Sequence, residues 1–292
     1  MKYKLVSNYK DNDFLRQSFD RLAKNTFGIS FEDWYQKGLR GDNYICYSFR
    51  EKDRIISNVS ITKMRLKTRG NEKKLIQIGT VMTDRDYRGK GLAKELMDYV
   101  INKYEDDYRA FYLFANSNVL DFYPKFGFEK ASRLQLFTED KVAGDIKREY
   151  RKLDIYNKKD LKILINLAKD RHPTSDRFYF VNNEEILCWY CLGFFKDYLY
   201  YNSEEEIIVI YAIEGETLHL YDVISRRDIS YRELLSNIQS VDIKETVFHF
   251  NLDKDDVNIK TRVFDDMKED DPMFIRGDLN MGDVTYPVTA HT

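Results

Sequence analysis

Between Thr80 and Ala93 the chain reads TVMTDRDYRGKGLA and continues as KELMDYVINKY, and this junction dictates more about the fold than any other stretch. Its first part is β-rich. Its last part places Ala93, Leu96, Met97, Val100, Ile101 and Tyr104 at helical spacing, so an amphipathic helix follows. A second apolar strand, AFYLFA from Ala110, comes next. The unit is therefore strand, loop, helix, strand, and the chain is of the α/β class. Gly89 and Gly91 leave backbone N–H groups uncovered where the helix begins. Such an N-terminus carries unpaired donors and partial positive charge, and glycine lets a phosphate come close. The geometry suits a pyrophosphate. A dinucleotide-binding reading fails, because Gly-x-Gly-x-x-Gly belongs after the first strand of a βαβ unit, with Gly or Ala where Lys94 stands.

Upstream, the pattern gives a strand at Tyr3–Ser7, a helix at Asp13–Lys24 opened by the capping cluster Asp11-Asn12-Asp13, and a short helix at Phe31–Leu39. Strands follow near Tyr44–Arg50, Ile55–Lys67 and Lys74–Met82, and Phe128–Phe137 closes the unit as a last strand. The polar stretch Glu139–Arg148 reads as a linker. Beyond it the same order of elements recurs. A strand (Glu149–Ile155), helices at Asp160–Lys169 and Glu184–Phe194, and a strand at Tyr198–Tyr201 lead to a hairpin, Ile207–Ile213 with Thr217–Ile224. A capping box, Ser230-x-x-Glu233, opens a helix to Ile238 before the strand Thr246–Phe250. Where the first copy has RGKGLA, the second has Ser225-Arg-Arg-Asp-Ile-Ser230 without glycine, so it should hold no phosphate there.

The N-terminal MKYKLVSNYKDND has no apolar signal core, and no apolar run reaches the roughly 20 residues of a membrane span. Three cysteines make no disulfide framework, so the expected compartment is the cytoplasm. A net charge of −2 argues against nucleic acid as a partner. A homo-oligomer is compatible with the sequence. Cys188-Trp-Tyr-Cys191 is a lone C-x-x-C in an apolar helical segment, without the further Cys or His pair of a zinc site; it reads as buried structure, and no metal site is expected.

Arg88, Gly91 and Ala93 lie on the Arg-x-x-Gly-x-Ala spacing, and Asn116 and Tyr123 on the later Asn…Tyr-x-x-x-Gly-Phe pattern, of the GCN5-related N-acetyltransferase (GNAT) superfamily, which this half of the chain resembles. The resemblance implies two tandem GNAT-like αβ units with mixed, mostly antiparallel sheets, the second degenerate. Residues 1–140 would be the catalytic, acetyl-CoA-binding domain and 147–292 the degenerate copy. It implies that the backbone of Arg88, Gly89, Lys90, Gly91, Leu92 and Ala93, with Asn116, holds acetyl-CoA. It places the oxyanion donor at Val81-Met82-Thr83, where the strand splays, and makes Tyr123 the general acid for the departing thiolate. The family's common base, a strand Glu, is replaced by Gln77, an amide that takes no proton. Glu32, Asp33, a water chain or the C-terminus are the substitutes.

The longer spelling TVMTDRDYRGKGL, followed by a second copy, is similar to the enhanced-intracellular-survival (Eis) type. Those proteins carry a further sterol-carrier-like domain, for which 292 residues are too few. An aromatic cluster, Phe27, Phe31, Trp34 and Tyr35, with the acids Glu32 and Asp33, is the candidate acceptor pocket for an ammonium group. The function expected is acetyl transfer from acetyl-CoA to a primary amine, on a small molecule or a peptide. The alternatives are a CoA-binding sensor or scaffold, favoured by Gln77, and a tRNA-dependent peptidyl transferase of tandem build, which needs no pyrophosphate loop.

Overall fold

The structure is a computed structural model that describes residues 3–142, 148–253, 255–265, 268, 271–279 and 284–291. In chain order the first half holds β1 (Lys4–Ser7), α1 (Asp13–Phe27), α2 (Glu32–Gln36), β2 (Tyr44–Glu51), β3 (Arg54–Thr68), β4 (Asn71–Thr83), α3 (Leu92–Tyr104), β5 (Ala110–Phe114), β6 (Glu129–Lys130) and β7 (Leu134–Thr138). The second holds β8 (Arg151–Lys152), α4 (Lys158–Lys169), β9 (Tyr179–Val181), α5 (Glu184–Leu192), β10 (Leu199–Asn202), β11 (Ile207–Glu214) and β12 (Thr217–Ile224). It ends with α6 (Tyr231–Ile238), β13 (Glu245–Phe248), β14 (Lys260–Val263) and β15 (Met273–Gly277).

These strands build two mixed sheets, β1-β2-β3-β4-β5-β15-β6 and β8-β10-β11-β12-β13-β7-β14, with β9 added on β3. In both, one pair is parallel, β4 with β5 and β12 with β13, and a helix crosses between its members, as parallel pairing requires. The two orders match strand for strand. The repeat is thus present in the topology.

The sheets exchange strands. β15, from the C-terminal half, lies between β5 and β6, and β7, from the N-terminal half, lies between β13 and β14. The expectation of a continuous closing strand over Phe128–Phe137 is therefore corrected: the stretch breaks after Lys130, and its second part joins the other sheet. Buried Arg133 marks the crossing point, donating to the Asp271 carbonyl at 2.5 Å and to its carboxylate at 3.1 Å. Sheet membership consequently does not follow a 1–140 and 147–292 division of the chain. The strand expected over Glu149–Ile155 is only β8, and β9, β14 and β15 were not foreseen. Part of the expected linker, residues 143–147, lies outside the described residues.

Local chemistry explains the helices. Asn12 caps α1, accepting from the Leu15 N–H at 3.1 Å, and Gly28 ends it in the left-handed region at φ 74°. On one face of the first sheet α3 seats Leu96, Met97 and Val100 against Ile76, Ile78, Phe111 and Leu113. On the other face Leu15, Phe19 and Leu22 of α1 join a core that runs through α4 and α5 to the C-terminal segment. Each such side chain contributes roughly 1.5–3 kcal/mol when fully buried. The halves share this core: Tyr112 of β5 packs on Tyr286 at 5.3 Å between ring centroids. The third cluster, under α6, belongs to the second sheet.

Candidate functional site

β4 and β5 pair from Leu75 with Ala110 to Ile78 with Leu113, and then part. A bulge between β3 and β4 accompanies the parting, with Thr80 at φ 50°, a conformation uncommon for a non-glycine residue. Three side chains hold it. Asn58 donates to the Thr80 carbonyl at 2.9 Å, and the Tyr44 hydroxyl bonds both Ser60 (2.9 Å) and Thr80 Oγ1 (2.8 Å). The backbone of β4 beyond Ile78 is left without a β5 partner, which frees main-chain groups to face a ligand.

The parting opens a cleft of about 670 Å³. Ile78 to Thr83 line it along β4, and Arg88 and Ala93 line it at the start of α3. Asn116, Val119, Phe122 and Tyr123, from the short 3₁₀ turns after β5, form the facing wall. Phe27, Ile29, Phe31, Trp34 and Tyr44 come from the α1–α2 side. Ile186, Trp189, Tyr190 and Phe194 come from α5 and its end, and Asp271 and His291 from the C-terminal region.

The glycine loop lies at the cleft's edge. Gly89 and Gly91 have φ 72° and 78°, where any other residue is strained. Gly91 is the N-cap of α3 and supplies no side-chain cap. Among the described residues the N–H groups of Gly89 to Ala93 find no acceptor in this turn. A Cβ at Gly91 would meet no protein atom within 4 Å, so it would project into the space a phosphate needs. Donors, helix polarity and open space all fit the pyrophosphate of a nucleotide such as CoA. The Lys90 ammonium is turned back onto the Asp86 carbonyl at 2.7 Å, and Arg88 Nε onto the Thr83 carbonyl at 3.2 Å. Leu92 is buried in the core beneath α3, leaving its backbone toward the loop.

Tyr123 lines the cleft although only 6% of it is exposed. Its ring packs against Phe122, Phe128 and Phe274, and burial pushes its hydroxyl up to about 12. It is thus a proton donor, not a phenolate, throughout the neutral range.

Of the expected acceptor residues, Phe27, Phe31 and Trp34 reach the cleft; Glu32, Asp33 and Tyr35 do not. Glu32 accepts from Arg16 Nε at 3.2 Å and from Gln36 at 2.7 Å, and these partners hold it below the usual carboxylate range against the opposing effect of burial. Exposed Asp33 accepts from the Tyr156 hydroxyl at 3.3 Å. The Tyr35 ring carries the Arg16 guanidinium 3.8 Å from its centroid. Arg16 thus draws Glu32 and Tyr35 out of the site. Gln77 is fully buried in β4, between Thr62 and Tyr112, and is not among the cleft residues. Cys188 and Cys191 are buried on α5 as expected for core residues, and burial pushes the Cys188 thiol up to about 12.

Trp189, Tyr190, Asp271 and His291 were missed as site residues. Trp189 and Tyr190 stood in the C-x-x-C segment that was assigned to structure, and nothing local marks the other two.

Residues 10–131 match the acetyltransferase (GNAT) domain. Similar solved structures include a conserved protein from Enterococcus faecalis V583 described as a probable N-acyltransferase (TM-score 0.62, 14% identity, 95% of this chain and 72% of that one). Another is Eis1 from Mycobacterium abscessus (TM-score 0.57, 12% identity, 95% and 74%). A third is a GCN5-related N-acetyltransferase from Kribbella flavida (TM-score 0.55, 15% identity, 94% and 72%). At these identities the likeness is one of fold. A search of curated proteins finds no match. The acetyltransferase (GNAT) match thus spans the first unit, residues 10–131, and the co-substrate of that family is acetyl-CoA. No helix among the described residues is long and apolar enough to cross a membrane.

Proposed function

We propose that the protein moves acetyl from acetyl-CoA to a primary amine, on a small molecule or a peptide, by direct attack in the cleft between β4 and β5. The observation that carries this reading is the uncapped N-terminus of α3, with Gly91 in the left-handed region, at the edge of a cleft that Tyr123 also lines. In this reading the N–H groups of Arg88 to Ala93 and the side chain of Asn116 hold the nucleotide. Backbone from Val81 to Thr83, unpaired toward β5, offers a donor to the developing oxyanion. The Tyr123 hydroxyl protonates the departing thiolate. Phe27, Phe31 and Trp34 wall the acceptor side, joined by Trp189 and Tyr190 of the second unit. Such rings hold the carbon body of an amine and tolerate its cationic head.

A second reading, a CoA-binding sensor or scaffold, draws on the amide at Gln77 and on the absence of Glu32 and Asp33 from the cleft wall. One experiment separates the two. A broad panel of amines is screened for CoA release by wild type and by Tyr123→Phe, with acetyl-CoA binding followed in parallel. The transferase reading expects turnover by wild type and a drop of roughly 10² in Tyr123→Phe with binding retained. Change below about threefold, with chemistry rate-limiting, makes Tyr123 a packing residue. Binding without turnover on any amine supports the sensor. A tandem enzyme of the Eis kind is the build we favour, given the matched topologies of the two sheets.

A further inference from the structure

Direct attack requires a neutral amine, and an alkylammonium with a pKa near ~10 keeps its proton at neutral pH. The cleft residues that titrate are few. The Tyr44 hydroxyl is held by Ser60 and Thr80, and burial raises both Tyr44 and Tyr190. Tyr123 is itself a donor. The Asp271 carboxylate is engaged by Arg133. There remains His291.

His291 reaches the cleft on a segment fixed from several sides. Thr289 Oγ1 donates to buried Asp222 at 2.8 Å, the Tyr286 hydroxyl to the Ala290 carbonyl at 3.1 Å, and the His291 N–H to the Val288 carbonyl at 3.2 Å. Its ring lies against Phe114, at the end of β5, with centroids 3.9 Å apart. Nε2 stands 3.6 Å from Asp271 Oδ1, and Arg133 holds the other carboxylate oxygen at 3.1 Å. Among the described residues nothing partners Nδ1.

We infer that His291 is the base that takes the proton from the acceptor ammonium, with Asp271 as its positioning residue. The inference rests on the transferase reading above. His291 accepts one ammonium proton, and the freed lone pair forms the C–N bond at the thioester carbonyl. When the C–S bond breaks, its electron pair leaves on sulfur, which takes the Tyr123 proton. Of the two protons left on the new amide nitrogen one restores Tyr123 and the other stays as the amide N–H, and the imidazolium releases its own to solvent. The site's chemistry fits this role: burial lowers the ring below its ordinary value, Arg133 adds to that, and Asp271 opposes both. The ring is therefore neutral at pH 7, and its cation forms beside a carboxylate. The acceptor implied is a primary amine whose carbon body is apolar or aromatic, since Phe114 lies against His291 and Trp189 and Tyr190 line the same cleft.

The test compares wild type, His291→Gln and Asp271→Asn, with thermal melts confirming that each folds. His291→Gln should lower kcat by about 10²-fold, leave the acetyl-CoA Kd within twofold, and lose the acidic limb of the kcat/KM profile. Asp271→Asn should keep that limb and move it to lower pH, with a smaller loss of kcat. A kcat within threefold of wild type, or an unchanged acidic limb in His291→Gln, overturns the inference. A second arm needs no acceptor: the His291 ring is titrated by NMR. It should titrate below 6.5, the ordinary value, and lower still in Asp271→Asn. A ring titrating at or above that value, or unmoved in Asp271→Asn, overturns the inference even if no amine is ever found to react. Absence of turnover with the expected titration counts against the transferase reading and leaves the His291–Asp271 coupling supported.

Discussion

The crossover helices α3 and α6 stand at the same place in two sheets of the same strand order, yet their N-termini are finished in opposite ways. At α3 the N-cap is Gly91, with no side-chain cap and open space around it. At α6 the N-cap is Ser230, whose hydroxyl accepts from the Glu233 N–H at 3.1 Å and donates to Asp256 at 2.8 Å. Asp256 also accepts from the Arg232 N–H at 3.1 Å. The protein's own acids and hydroxyls have taken the place of a ligand there. The clefts differ in the same way. Each sheet has a bulge beside its parallel pair, between β3 and β4 and between β11 and β12. In the second unit the C-terminal segment fills the gap: the Val288 N–H donates to the His249 carbonyl at 3.1 Å, and Thr289 bonds Asp222, which also pairs with Arg171. One copy keeps its donors for a ligand, and the other has spent them on its own fold. The segment that closes the second gap then carries His291 into the first.

If that division is right, the largest effect should follow from breaking the plug. Asp222→Ala leaves the partly buried Arg171 guanidinium without its buried carboxylate partner, and removal of one member of a buried pair costs about 3–5 kcal/mol. Denaturant unfolding should show a loss of that size. A loss under 1 kcal/mol would mean that the plug is incidental to stability.

Next comes the open end. Gly91→Val puts a branched side chain at a φ that favours glycine and fills the approach to the α3 N–H groups. Acetyl-CoA affinity measured by calorimetry should drop by about 10²-fold or more, equivalent to roughly 2.7 kcal/mol. Wild-type affinity in this variant would place the nucleotide elsewhere.

The third test uses pH. Burial, with His219 adjacent, lowers His249 to about 3. The unfolded chain then binds a proton at His249 that the native state refuses. This contribution to stability is full above about pH 6.5 and declines as pH falls from there toward the folded value, by roughly 1.4 kcal/mol per pH unit. His249→Gln should flatten that part of the stability profile. An acid profile identical to wild type would show that the pair does not carry the effect.

The smallest effect concerns the filled cap. Ser230→Ala should cost about 1 kcal/mol of stability, the usual worth of such a cap, and leave acetyl-CoA binding unchanged at one per chain. A second equivalent of acetyl-CoA, in wild type or variant, would erase the contrast between the units.

Much of this was written locally in the chain. The strand, glycine loop and helix around Arg88–Ala93 follow from composition and helical spacing, as do the Ser230 cap and the β11–β12 hairpin at Glu214-Gly215. The acids beside Trp34 stand outside the cleft wall because of partners that could not be read: Arg16, one turn into α1, takes Glu32 and the Tyr35 face, and the Tyr156 hydroxyl bonds Asp33. The strand over Phe128–Phe137 misled because β propensity says nothing about which sheet a strand will join.

By itself the sequence determined the class of the protein, its repeated α/β order and its single phosphate-ready loop. All three rest on interactions within a few residues, where periodicity and glycine conformation act. The tertiary structure alone decided the exchange of β7 and β15, the closing of the second gap, and the meeting of Phe114, Asp271 and His291 in one cleft. Those depend on pairings between distant segments, set by how two sheets share a core, and a side chain carries no local mark of the partner it will find.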